Sequence, residues 1–329
     1  NPDMDDPAGD YQRLARAIEA QWEIALRNAD LQVLKTLQKT LRKGKWKATA
    51  AVRQDHDLVG LWPGYHDRVY GIAVDVGSTT VACHLCDLES GEVLASAGAM
   101  NPQIRFGEDL MSRVSYVIMN EDGVEEMSST VRQTIARLAA ETAAEAGIAS
   151  SDIIEATFVG NPIMHHLLLG IDPSELGFAP FALDTDAALT VSASADLDLD
   201  LHPGARAYVL PCIAGHVGAD SAAVILSETP HEADDLTLIV DIGTNAEIIL
   251  GNRYRLLAAS SPTGPAFEGA QISCGQRAAA GAIERVRIDR ETLEPRFKVV
   301  DCEVWSDDED FAEATRDTGV TGICGSGII

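Results

Sequence analysis

Two segments of the chain repeat a pattern that could bind phosphate, in which an aspartate ends an apolar run and precedes a glycine and a hydroxyl residue. One begins at Asp75 as Asp-Val-Gly-Ser-Thr-Thr, and the other begins at Asp241 as Asp-Ile-Gly-Thr-Asn. The apolar runs around each bend predict two strands joined by a hairpin. A carboxylate at such a bend can hold Mg²⁺ directly or through water, while the turn amides face phosphate groups. We predict that Asp75 and Asp241 are catalytic and metal-binding residues.

The residues after the two aspartates supply the rest of the predicted phosphate site. Glycine lets the backbone approach a phosphate, and hydroxyl and amide side chains supply hydrogen-bond donors. One such turn would also fit an ordinary hairpin, whereas two copies far apart in the sequence predict two similar lobes that close over one nucleotide. The predicted nucleotide-binding residues of the turns are Gly77, Ser78, Thr79, Thr80, Gly243, Thr244 and Asn245.

Asp220 follows a glycine-rich segment at the start of a predicted helix. Its carboxylate could orient an attacking water molecule or lie in the outer coordination sphere of the metal, so we predict it as a third catalytic residue. The alternative is a first-turn acid that interacts favourably with the helix dipole.

Two further glycine-rich segments could line the nucleotide. Gly264 and Glu268 precede another predicted helix, where Glu268 is either a ribose contact or a first-turn acid. The glycine-rich turn near the last residues could lie flat against adenine or the α-phosphate. Its predicted binding residues are Gly322, Gly325, Ser326 and Gly327.

Hydrophobic periodicity divides the chain into a small amino-terminal unit and a larger α/β region. Residues 1–66 predict two helices and a strand pair, which we interpret as a linker and a small α+β middle domain. Residues 67–329 predict two lobes, at about 67–230 and about 231–329. Alternating strands and helices of this kind predict a mixed sheet covered on both faces.

Local signals place several elements of the first lobe. Strands are predicted at about 69–75, 80–88 and 92–98. A long helix is predicted near 129–146, with Ser128 or Ser129 as its cap. Pro162 is expected to begin a helix that carries the adjacent His165 and His166. Adjacent helical side chains diverge by about 100°, so this pair is predicted to pack or to face a partner rather than to share a metal.

Composition limits the partners of the chain. Its 329 residues include 46% hydrophobic residues and carry a formal net charge of −26, so nucleic acid is disfavoured as a partner. The sequence has neither an apolar run of about 18 residues nor an amino-terminal signal, which predicts a cytoplasmic location and no membrane partner. Because the chain starts at Asn1 rather than Met and stops within a glycine-rich turn, we expect an excised fragment, cut at both ends and so truncated at its carboxyl terminus.

The two phosphate turns, the loop at Asp220 and the final Gly-Ile-Cys-Gly-Ser-Gly resemble motifs of the superfamily of acetate and sugar kinases, Hsp70 and actin. Within it, the chain is similar to the reductive activators of corrinoid proteins over nearly its whole length. The resemblance implies an α/β fold with two ribonuclease H-like lobes after a small α+β domain. The segments that carry the family resemblance include 101–103, 160–166, 217–220, 241–247, 264–269 and 272–275.

The resemblance implies ATP and Mg²⁺ as cofactors. Members of the family use ATP to drive reduction of cob(II)alamin to cob(I)alamin. The implied partner is therefore a corrinoid protein or a corrinoid-dependent methyltransferase. A homodimer of this chain is compatible with the resemblance. The family carries its [2Fe-2S] cluster in an amino-terminal ferredoxin domain. Because the chain lacks the C-x₄-C-x₂-C cluster spacing, we expect this iron-sulfur cluster only in a missing domain, with ATP binding and partner clamping left to this chain.

Two other functions stay open at this point. A small-molecule kinase of the same superfamily would form a phosphorylated product without a protein partner. An actin-like or Hsp70-like interaction module would instead form nucleotide-dependent filaments or bind peptides.

Overall fold

The polypeptide divides into two units, Asn1–Glu228 and Thr229–Ile329. The computed structural model describes residues 5–54, 56–243, 245–262, 273–276 and 278–328. Within those ranges, the helices are too short or too polar to cross a bilayer.

The described residues between 5 and 63 form a small α+β layer in which two helices accompany a three-stranded sheet. The Asp30 carboxylate caps the second helix by accepting the Gln32 N–H. The buried side chains Val33, Leu37 and Leu41 recur at helical spacing and pack in one core with Leu58 and Leu61 of the sheet. The elements are α1 (Asp10–Trp22), β1 (Asn28–Ala29), α2 (Leu31–Lys43), β2 (Ala48–Arg53) and β3 (Asp57–Pro63).

A six-stranded mixed sheet forms the centre of the first unit. Its strand order is β6-β5-β4-β7-β9-β8. The three central strands β4, β7 and β9 run parallel, and the flanking pairs are antiparallel. The carboxyl ends of the parallel strands therefore share one edge. The strands are β4 (Tyr70–Val76), β5 (Thr80–Asp87), β6 (Val93–Met100), β7 (Ile153–Val159), β8 (Leu189–Ser192) and β9 (Arg206–Val209).

Four helices accompany this sheet, and the longest packs against β5 and β6. It begins at Gly123, so the predicted start after Ser128 or Ser129 is wrong. Ser128 is buried within the helix, and its hydroxyl donates to the Leu167 carbonyl at 2.6 Å. The predicted helix start at Pro162 is confirmed. The helices are α3 (Leu110–Met119), α4 (Gly123–Glu145), α5 (Pro162–Leu169) and α6 (Ala219–Glu228).

In the described residues, the second unit contains two three-stranded sheets. The first is an antiparallel meander of β10, β11 and β12, in which Asp241 lies opposite Glu247. The second has the order β14-β13-β15. The elements are β10 (Thr237–Ile242), β11 (Asn245–Asn252), β12 (Arg255–Pro262), β13 (Ala282–Ile288), β14 (Pro295–Val299), α7 (Phe311–Ala314), β15 (Gly322–Ile323) and α8 (Gly325–Ile328).

Candidate functional site

The first predicted phosphate turn joins β4 to β5. Asp75 lies one residue before the end of β4 with its side chain exposed. Gly77 begins the bend, and a Cβ atom at that position would lie 2.5 Å from the Thr80 carbonyl oxygen. No side chain fits at that distance without a shift of the backbone, so the sharp bend requires glycine here.

Three successive carbonyl groups of this turn are held from one side. The Asn101 amide nitrogen donates to the Gly77 oxygen at 2.8 Å, and the Asn101 backbone N–H donates to the Thr79 oxygen at 2.7 Å. The Arg113 Nη2 donates to the Ser78 oxygen at 2.5 Å.

This arrangement fixes the direction of the turn amides. A trans peptide directs its C=O and its N–H to opposite sides. The N–H groups of Ser78, Thr79 and Thr80 therefore point away from Asn101 and Arg113. Successive amides that face one side of a turn can cradle an anion. The geometry of residues 77–80 thus fits a phosphate turn.

Asp220 adjoins the same edge of the sheet as Asp75. In the parallel pair of β4 and β7, Asp75 lies opposite Val159. The next residue, Gly160, accepts the Ala219 N–H at 2.9 Å and the Asp220 N–H at 3.3 Å. The structure therefore brings two of the three predicted catalytic aspartates to one edge of the sheet, Asp75 near the end of β4 and Asp220 beside the end of β7. The Asp220 carboxylate accepts the N–H of the following residue at 2.7 Å, within the first turn of α6.

The helix α5 packs against the residues that hold the first turn. Its cap is Asn161, whose side-chain oxygen accepts the Met164 N–H at 3.0 Å. The Met164 sulfur lies 3.3 Å from Arg113 Nη1 and 3.7 Å from the Asn101 amide nitrogen. The residues that hold the turn are thus packed against α5.

His165 and His166 are both buried in α5. The His166 Nδ1 donates to the Pro162 oxygen at 2.9 Å, and its Nε2 accepts the Asp184 N–H at 3.2 Å. Burial lowers the pKa of His165 to about 4, with a smaller contribution from His166. Both rings are therefore neutral packed groups at neutral pH.

Asp241 and its turn belong to the second unit. Asp241 lies on β10, and the Gly243 N–H donates to the Asn245 oxygen at 2.9 Å. Glu247, which is opposite Asp241, is buried and accepts the Ser260 hydroxyl at 3.1 Å. Thr244, Gly264 and Glu268 lie outside the described residues. The closure of both turns over one nucleotide stays a prediction.

The last glycine-rich turn packs against β13. Gly322 belongs to β15, which pairs with β13, and α8 begins at Gly325. The Cys324 sulfur contacts the Ile283 oxygen at 3.2 Å and the Ser326 hydroxyl at 3.1 Å. The Gly327 N–H donates to the Cys324 oxygen at 3.0 Å. The predicted role of these residues at adenine stays a prediction.

The acidic residues near the first turn fit an Mg²⁺ ion that binds together with phosphate groups. In the described part of the chain, no three acidic, histidine or cysteine side chains gather at one point. Mg²⁺ at phosphate sites is held by one or two carboxylates together with phosphate oxygens and water. A single exposed carboxylate beside a phosphate turn, as Asp75 provides, satisfies that requirement.

Sequence reasoning missed the residues behind the turn. Asn101 enters the sequence analysis only as part of the motif at 101–103, and Arg113 has no predicted role there. A signal for Arg113 does exist, because it lies at helical spacing from Leu110 and Val117 on the apolar side of α3. A cation at such a position needs an acceptor inside the protein.

Comparison with protein families gives one consistent result along the chain. Residues 1–68 match the RACo linker region, and residues 70–233 match the RACo middle region. Residues 235–329 match the C-terminal domain of RACo, described as the ASKHA domain. The predicted α/β fold of the acetate and sugar kinase, Hsp70 and actin superfamily, which ASKHA abbreviates, is confirmed.

Curated relatives have related descriptions. The chain is 33% identical over 261 residues to the corrinoid activation enzyme RamQ of Eubacterium limosum, covering 79% of this chain and 41% of that protein. It is 26% identical over 279 residues to a Co(II) methylated amine-specific corrinoid protein reductase of Methanosarcina barkeri, covering 79% of this chain and 49% of the relative. The chain thus spans less than half of each relative.

A solved structure agrees with these matches. The reductive activator for corrinoid, iron-sulfur protein superposes with a TM-score of 0.80 at 34% identity, covering 100% of this chain and 50% of that one. Together with the three family matches, this similarity extends over both units. The chain therefore belongs to the RACo family of reductive activators of corrinoid proteins.

Proposed function

We propose that this chain supplies the ATP-binding and energy-coupling part of a reductive activator, which returns a corrinoid protein from the cob(II) to the cob(I) state. The observation that carries the proposal is the turn at residues 77–80. Asn101 and Arg113 hold its carbonyl groups, and its N–H groups point to the opposite side. Asp75 and Asp220 lie at the same edge of the sheet. Family membership favours this function over a small-molecule kinase or an actin-like module.

The chain's own residues have distinct roles in this proposal. The amides of Ser78 and Thr79 bind phosphate oxygens of ATP, and the Thr80 hydroxyl adds a donor. The carboxylates of Asp75 and Asp241 hold Mg²⁺, which neutralises charge on the phosphates when bound. Asp220 orients the attacking water molecule.

In this proposal, coupling depends on the predicted closure of two lobes over one nucleotide. A nucleotide that interacts with a turn on each lobe stabilises their closed arrangement by its differential affinity for that arrangement. Closure can then strain or reposition the corrinoid protein that the lobes clamp, and hydrolysis releases the clamp. The chain contains no C-x₄-C-x₂-C sequence, so we assign it the energy-coupling step and not electron transfer.

Binding of MgATP to the purified chain tests the proposal. Asp75→Asn and Asp241→Asn remove a charge with little change in volume. We expect each to weaken MgATP binding about tenfold or more in isothermal titration, equal to about 1.4 kcal/mol.

The exposed Asp200 and Asp317 provide matched controls, one in each unit. Asp200→Asn and Asp317→Asn are expected to bind MgATP as the parent does. If the parent chain does not bind MgATP, or if all four variants bind it equally, the proposed roles are wrong. Reduction of cob(II) in an added corrinoid protein, measured by its absorbance with and without ATP, tests the coupling.

A further inference from the structure

Arg113 is an unusual residue in the first unit because its side chain is fully buried, at 0% exposure. Its guanidinium makes four contacts. Nε donates to the Gly107 oxygen at 3.0 Å, Nη1 lies 3.4 Å from the Gln103 oxygen and 3.3 Å from the Met164 sulfur, and Nη2 donates to the Ser78 oxygen. Every acceptor is electrically neutral.

The guanidinium has no close counter-charge. Over the described ranges, no carboxylate oxygen lies within 4.0 Å of it, and Asp109 acts on it only from a greater distance. Burial lowers the pKa of Arg113 to about 10, which still leaves it cationic at neutral pH. A buried charge without a partner is costly, so a nearby anion would stabilise it.

The position of this charge points to the anion. Arg113 holds the carbonyl of the Ser78–Thr79 peptide, and the N–H of that same peptide points to the opposite side. The buried cation and the predicted phosphate cradle are therefore separated by one peptide unit. No other residue in the described part of the chain combines full burial, a fixed charge and a bond to this turn.

We propose that Arg113 is the buried counter-charge and positioning residue of the first phosphate turn. It orients the Ser78–Thr79 peptide with its amide toward the ligand, and it offsets the negative charge of a bound polyphosphate. This inference rests on the proposed function, because it takes the phosphates of a nucleotide as the anion. Arg113 further makes the site selective for the triphosphate, because its attraction to the ligand grows with the negative charge of the ligand.

Arg113→Met and Arg113→Lys separate charge from geometry. Met removes the charge at similar length, whereas Lys keeps the charge but loses the planar fork. Titration of the full chain with MgATP, MgADP and adenosine is expected to show a fall of tenfold or more in MgATP affinity for Arg113→Met. The MgADP affinity should fall less, and adenosine binding should hardly change. Arg113→Lys should keep the ratio of MgATP to MgADP affinity within about threefold of the parent.

Arg132 is the matched control, because its Nε also donates to a backbone carbonyl, that of Leu168 at 2.9 Å, but on a different helix. Arg132→Met should leave the affinity ratio unchanged. A purely structural Arg113 would lower thermal stability in Arg113→Met without altering the ratio, and that result would overturn the inference. If Arg113→Met does not fold, Arg113→Lys provides the test. A change of more than about threefold in its ratio of MgATP to MgADP affinity would then overturn the inference.

Failure of the inference can be told apart from failure of the proposed function. A parent chain that binds neither MgATP nor inorganic tripolyphosphate would overturn both. A parent chain that binds them, with Arg113→Met binding them equally well, would overturn only the role of Arg113.

Discussion

The two aspartate turns share a sequence pattern, but their surroundings within their own units differ. The Asp75 turn is held by Asn101 and Arg113, both fully buried, and these pack against α5. The Asp241 turn lies at the end of a three-stranded sheet. On that sheet, Leu238 is 61% exposed and Val240 is 44% exposed.

The motif therefore specifies a bend but not its rigidity. At the first turn, buried donors fix three carbonyls in direction before any ligand arrives. At the second turn, the bond from the Gly243 N–H to the Asn245 oxygen closes the bend, and apolar side chains of β10 remain exposed within the described part of that unit. We infer that the first turn is preorganised for an anion, whereas the second is held by fewer contacts within its own unit.

The largest expected difference comes from the glycines of the two turns. A Cβ atom at Gly77 would meet the Thr80 oxygen at 2.5 Å, whereas one at Gly243 would lie 3.6 Å from the Asn245 oxygen. We expect Gly77→Ala to distort the first turn and to weaken MgATP binding on the order of a hundredfold, or about 3 kcal/mol. Gly243→Ala should stay within about threefold. Isothermal titration of both variants measures this, and equal losses would remove the distinction between the turns.

The valines that precede the two aspartates provide a second test, on stability. Val74 is 2% exposed and packs in the main core, while Val240 is 44% exposed. Val74→Ala should cost about 2 kcal/mol of unfolding free energy through lost burial and a residual cavity. Val240→Ala should cost less than about 0.5 kcal/mol. Urea unfolding measures both free energies, and hydrogen exchange locates the effect in β4 or β10. Comparable costs would show that β10 is as well covered as β4.

The asparagines that bind backbone carbonyls provide a third test. Asn101 is buried and donates to the Gly77 oxygen, whereas Asn252, in the second unit, donates to the Asp234 oxygen at 3.1 Å in an exposed bond. Asn101→Ala leaves a buried carbonyl without its donor and should cost about 1.5 kcal/mol of unfolding free energy. Asn252→Ala should cost about 0.5 kcal/mol or less, because water replaces the side chain. Thermal unfolding measures the stability that each variant loses. A larger loss of stability in Asn252→Ala than in Asn101→Ala would contradict the prediction.

Local signals were enough to predict the elements that carry the first turn. The predicted strands at about 69–75 and 80–88 correspond to Tyr70–Val76 and Thr80–Asp87. Pro162 after Asn161 gave the start of α5. These features depend on apolar runs, glycine and proline, whose effects act within a few residues.

Tertiary packing decided what the sequence left open. Arg113 reaches Ser78 across a large gap in the sequence, and only the packing of α3 brings the two together. The start of α4 was predicted after Ser128 or Ser129, yet the helix begins at Gly123, and Met127 is buried in the core as part of it. The exposure of one face of β10 could not be predicted from the sequence either, because the residues of β10 are as apolar as those of β4.

The smallest expected effect concerns acid sensitivity, which buried histidines should confer on the first unit. His165 is 2% exposed, and burial lowers its pKa from 6.5 to about 4. Its folded form therefore favours the neutral ring. An unfolded chain takes up the proton near pH 6.5, so stability is complete above that pH and is lost as the pH falls from 6.5 toward 4.

His165→Leu removes this contribution while filling a similar volume. At pH 8 we expect little change in the free energy of unfolding, because the Nε2 of His165 makes no hydrogen bond to the described residues. By about pH 5.5 the variant should be more stable than the parent by about 1 kcal/mol. Burial also lowers the pKa of His166 and His202, so part of the acid sensitivity should persist. The second unit has a single histidine, the exposed His231, so the gain should appear in hydrogen exchange of α5 and not of β10. A variant that loses stability with falling pH in parallel with the parent would show that His165 is not the group that titrates.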